Sequence, residues 1–95
     1  MITYEHSIGL ITVWEPIKVV VTENKFLNGR FVGYNYFNLS SADSEEEGKT
    51  LCAKLKSKYE LPRVFSSEES ELFLVEIAGE YPKSEILKQP SPAHK

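Results

Sequence analysis

Ninety-five residues, 41% of them hydrophobic, carry eleven Lys and Arg against fourteen Asp and Glu, a net charge of -3. A chain of this size supports one core, because a second would need apolar residues of its own. The acidic balance disfavours nucleic acid, whose phosphates usually demand a basic surplus. The one cysteine, Cys52, excludes an internal disulfide and points to a reducing setting. The opening "MITYEHSIGLITVWEP" lacks the basic segment and unbroken apolar run of a signal peptide, and no stretch nears the ~20 apolar residues of a membrane span. The expectation is a soluble cytoplasmic protein without a membrane partner.

Residues 2–22 are rich in β-branched and aromatic types and are punctuated by Gly9 and Pro16. This predicts two or three short strands, Ile2–His6, Leu10–Trp14 and Ile17–Thr22. In "IKVVVTE", Ile17, Val19 and Val21 share one face, so the last of these strands reads as central, buried on one side and half-covered on the other. Asn28-Gly29 lies between two runs of aromatic and aliphatic residues and suits the paired positive-φ positions of a type I′ hairpin turn. Over "RFVGYNYFNL", strict alternation sends Phe31, Gly33, Asn35, Phe37 and Leu39 one way and Val32, Tyr34 and Tyr36 the other. Phe31, Phe37 and Leu39 are the more apolar set and are expected to pack on Leu51 and Leu55 of the following helix, leaving Val32, Tyr34 and Tyr36 on the outer face.

That helix is predicted at about 44–60, where Leu51, Leu55 and Tyr59 recur every fourth residue beside Gly48 and Cys52. Ser44 with Glu47 matches a capping box, acids fill the first turn and lysines the end, and Pro62 stops the helix before a short strand at "RVFSS". The stretch "SSEESELFLVEIAGEYP" is ambiguous. Its composition favours a strand at Glu71–Ala78 pairing with Arg63–Ser66; the alternative is a helix capped by Ser67 and stopped by Pro82. The fold class expected is α+β, an antiparallel sheet of four to six strands with one main helix on one face. The domain spans 1–88, and the proline-bearing segment 89–95 is expected to be disordered.

Catalytic and metal constellations are missing from the sequence. His6 and His94 stand near opposite ends, which leaves no basis for a triad or a histidine-rich metal site. Cys52 falls on the apolar helix stripe as a small hydrophobe. The acids of "DSEEE" serve the helix start, and "EEEGKT" lacks the earlier glycine of a phosphate loop. No cofactor and no enzymatic activity are expected.

Two resemblances bear on function. "RFVGYNYF" shares Arg30, Gly33, Tyr34 and Phe37 with the octapeptide of the RNA-recognition motif, but that fold needs a helix between its first two strands, where only strand-like patterns stand. The hairpin order followed by "GKTLCAKLKSKYELPRVFSS" resembles the helix and following strand of the small proteasome assembly chaperones; the likeness is one of apolar spacing and assigns no site residue. The sequence therefore favours a non-enzymatic protein-binding module, an assembly factor, inhibitor or small subunit, working alone or in a homo- or hetero-oligomer. Its protein-binding residues are expected to be Val32, Tyr34 and Tyr36, because tyrosine joins large apolar area to a polar tip. The alternative is a single-stranded nucleic-acid binder using the same face.

Overall fold

The computed structural model of the chain describes residues 1–84; the expected domain end at residue 88, segment 89–95 and His94 lie outside them. Strands β1 (Ile2–Ile11), β2 (Ile17–Leu27) and β3 (Arg30–Ala42) are followed by helix α1 (Glu45–Tyr59), strand β4 (Arg63–Ser66) and helix α2 (Ser67–Glu80). The strands form one antiparallel sheet in the order β3-β2-β1-β4.

The expected break at Gly9 does not occur. One strand runs from Ile2 to Ile11, because Gly9 keeps its place opposite Val20 in an unbroken register. Trp14 stands outside the strand in the bend that leads to β2. The turn at Asn28-Gly29 forms as expected: the φ angles are 53° and 82°, the left-handed pair that joins strands of natural twist.

Helix α1 is capped by Ser44, whose Oγ accepts the Glu47 N–H at 3.1 Å. The Glu47 carboxylate reaches one residue further back than in a standard capping box, accepting the Asp43 N–H at 2.8 Å. At the other end Glu60 takes the left-handed conformation, φ 58°, and closes the last turn. The expected strand at Glu71–Ala78 is a helix instead, and β4 pairs with β1 rather than with that segment. Ser66 and Glu69 make a reciprocal capping box, Ser66 Oγ accepting the Glu69 N–H and the Glu69 carboxylate accepting the Ser66 N–H. This local cap, with Phe73 and Ile77 on one buried stripe, outweighs the strand-like composition of "LFLVEI". The sheet is thus covered by two helices rather than one main helix.

Both helices pack on the same side. In β1, His6, Ile8 and Leu10 share a face by alternation; His6 meets Ser70 of α2, and Leu10 meets α1 at Gly48. A Cβ at Gly48 would fall 2.7 Å from a Leu10 methyl, so glycine lets α1 approach β1 closely. Val19, Val21, Phe37 and Leu39 of the sheet join Leu55, Phe65, Phe73 and Ile77 in the core, with Leu51 packed at its margin. At their C-terminal ends the helices are tied by Glu80, which accepts the Tyr59 hydroxyl at 2.6 Å and Lys58 Nζ at 2.8 Å.

Candidate functional site

The face of the sheet turned away from the helices is set by register. Since β2 residues 19, 21 and 23 lie opposite Leu10, Ile8 and His6, its even-numbered residues point outward. Tyr34 stands opposite Asn24 and Tyr36 opposite Thr22, so both tyrosines occupy the outer face. They are 62% and 52% exposed, and their rings lie 5.5 Å apart at 55°. Polar neighbours hold this floor in place: Asn24 Nδ2 donates to the Glu5 carboxylate at 3.3 Å, and the Thr22 hydroxyl reaches the Ser7 carbonyl at 3.4 Å. Val20 is the exception, an outward valine that is nonetheless 1% exposed, between Gly9 and Asn38.

Phe31 does not join the core. It stands opposite Phe26, an even-numbered residue of β2, while Gly33 stands opposite Lys25, which leaves Val32 as the extra residue of a β-bulge. One inserted residue reverses the alternation. Phe31 therefore faces outward with Tyr34 and Tyr36, 53% exposed, its ring set edge-on to Phe26 at 5.9 Å. Val32, at the bulge itself, is also half exposed. Of the residues expected to pack under α1, Phe37 and Leu39 are buried in the core and Phe31 is not. The outer patch thus holds the predicted Val32, Tyr34 and Tyr36 together with Phe26 and Phe31, which the uninterrupted alternation concealed.

A second polar cluster lies inside. His6 is wholly buried, its Nε2 2.7 Å from Ser70 Oγ and 3.9 Å from the Glu23 carboxylate. Glu23 in turn accepts Asn35 Nδ2 at 2.9 Å. The ring is packed by Phe65 and Phe73, each with its centroid 5.0 Å away, and among the described residues Nδ1 has no hydrogen-bond partner. Burial holds the imidazole neutral by lowering its pKa to about 4. Serine, histidine and glutamate come together here, but serine and carboxylate approach the same nitrogen, whereas a catalytic triad orients its base through the other one. The sequence signal for this cluster was the even-numbered alternation His6, Ile8, Leu10 along β1.

Cys52 is buried on the α1 stripe, and burial raises its thiol pKa. Among the described residues no three His, Cys, Asp or Glu side chains gather where they could hold a metal ion. Among the same residues no helix is long and apolar enough to cross a membrane. Comparison with protein-family models, with curated proteins and with solved structures finds no match for the chain.

Proposed function

We propose that the chain is a cytoplasmic, non-enzymatic protein-binding module, an assembly factor, inhibitor or small subunit, that presents the outer face of β2 and β3 to its partner. The observation that carries this reading is the exposed aromatic set Phe31, Tyr34 and Tyr36, backed by Phe26, on a face turned away from both helices. Aromatic rings offer large contact area for few rotatable bonds, and contiguous exposed apolar surface marks interaction sites. The sealed position of His6 and Ser70 favours a structural role for them over chemistry.

The test is to immobilise the chain, identify proteins it captures from its native source, and titrate the captured partner in purified form. Tyr34→Ala with Tyr36→Ala is expected to weaken that partner at least ~tenfold at constant ionic strength, since tyrosines at a hot spot carry about 2 kcal/mol or more each. Unchanged affinity removes the patch from the interface. Binding of single-stranded RNA that falls steeply with salt would replace the protein-binding reading with a stacking platform.

A further inference from the structure

The two edges of the sheet are unlike. On one side β4 is four residues long, begins with Arg63 and passes directly into α2. On the other, β3 is thirteen residues long, and from Phe31 to Ala42 it has neither a charged residue nor a proline. Natural sheets blunt their edges with short strands, charged side chains, proline or bulges, because an open edge displays unpaired N–H and C=O groups to any passing strand. β3 carries bulges at Val32 and Leu39, and between them Gly33–Phe37 is a regular, uncharged run. In an antiparallel ladder alternate residues direct their backbone groups away from the neighbour, so half of this run's donors and acceptors point away from β2.

We infer that this run pairs, antiparallel, with the same run of a second copy of the chain, joining two sheets across a two-fold axis. Self-complementarity favours a copy over a foreign strand. A two-fold axis perpendicular to the sheet keeps both outer faces on one side and requires opposed residues to share a face. Centred on Asn35, it sets Tyr34 against Tyr36 of the second copy and Gly33 against Phe37. Aromatic residues opposed across strands are favourable, and the net charge of -3 brings no like charges opposite one another, because the run has none. Nothing stands within 4 Å of a Cβ position at Gly33, so the face of the sheet is open above that residue. The contact goes beyond the face-binding reading, since it is made by backbone at the edge and places the two tyrosine patches side by side. A short contact of this kind belongs to the weak class that buries less than about 1,200 Å².

Sedimentation equilibrium of the full chain from about 10 µM to about 1 mM spans the range such weak contacts require. The mass is expected to rise from 10.8 kDa toward twice that value, while amides of Gly33–Phe37 exchange more slowly at the higher concentration. Gly33→Lys places an inward-pointing charge at the edge, a device that natural sheets use against pairing. It is expected to hold the chain monomeric with unchanged melting and with Tyr34 and Tyr36 untouched. A wild-type monomer throughout overturns the inference, as does a dimer that leaves exchange in Gly33–Phe37 unaltered. If Gly33→Lys fails to fold, the wild-type exchange measurement decides. Partner capture by the tyrosine face is read separately on Gly33→Lys, with and without Tyr34→Ala and Tyr36→Ala, so failure of the edge contact and failure of the face are distinguishable.

Discussion

His6 Nε2 and Ser70 Oγ lie 2.7 Å apart, a buried hydrogen bond between β1 and α2 that spans 64 positions of sequence. Among the described residues Nδ1 has no hydrogen-bond partner, and Ser70 is the closest polar contact of the ring. Ser70→Ala is expected to cost about 1–3 kcal/mol, the penalty for stranding a buried polar group. Urea melts measure it; a loss under about 0.5 kcal/mol, below the net worth of one hydrogen bond, would mean that another group takes the serine's place.

Acid should loosen the same contact. The imidazole pKa falls from 6.5 to about 4 on folding, through burial. Between those values the unfolded chain binds the proton and the folded one does not, so this contribution is full above pH 6.5 and declines as pH falls toward 4. The groups facing the ring are Glu23 from β2, Ser70 and Phe73 from α2, Phe65 and Arg63 from β4, and Tyr4 from β1. Each pKa unit corresponds to about 1.4 kcal/mol, so the loss across the window is about 3 kcal/mol. Melts of wild type and His6→Gln from pH 7 to pH 4 isolate the effect, because the variant should lack this slope; parallel curves would dismiss it.

Leu55 is 1% exposed at the centre of the α1 stripe. Its truncation to alanine is expected to cost about 2–4 kcal/mol, the sum of lost transfer energy and a partly unfilled cavity. A loss under about 1 kcal/mol in denaturant melts would show that the site collapses onto the space.

Gly79 makes the opposite prediction. It lies in the last turns of α2, exposed and without a positive φ, and a Cβ there would meet nothing within 4 Å. Gly79→Ala should therefore raise stability by about 0.5–1 kcal/mol, as helix propensity and a less flexible unfolded chain require. An unchanged melting temperature would indicate that the end of α2 is already frayed.

Replacing Tyr34 and Tyr36 together by alanine should lower stability by about 1–2 kcal/mol, the scale of lost cross-strand contacts. A far larger loss, read by the same melts, would make them structural residues and remove the binding interpretation.

Local chemistry explains which parts of this molecule were legible in the sequence. The hairpin turn and the Leu51–Leu55–Tyr59 stripe depend on neighbours a few residues apart and form as read, as does the Ser44 half of the α1 cap, while Glu47 closes on Asp43 instead of Ser44. The outward place of Tyr34 and Tyr36 was legible too, because no bulge interrupts Gly33–Asn38. Phe31 escaped because one inserted residue at Val32 reversed the alternation, and nothing in the local composition marks that insertion. For α2, strand-like composition concealed a capping box one residue earlier than the serine considered for it. The alternation His6, Ile8, Leu10 put His6 on the buried face of β1, but the pairing of β4 with β1 and the approach of Ser70 to that histidine are long-range matters that no local pattern encodes.

The position of β4 also orders the folding reaction. β1, β2 and β3 are successive antiparallel neighbours whose contacts need only short loops to close, whereas β4 reaches β1 across the whole intervening chain. Closing that long loop has an entropic cost which non-local contacts repay only after it is met. The three-stranded meander with α1 is thus the natural nucleus, and β4 with α2 is the unit that joins last and detaches first. Native-state hydrogen exchange should find Phe65, Phe73 and Ile77 opening together at lower free energy than Val19 and Val21, even though all five are buried in the folded molecule.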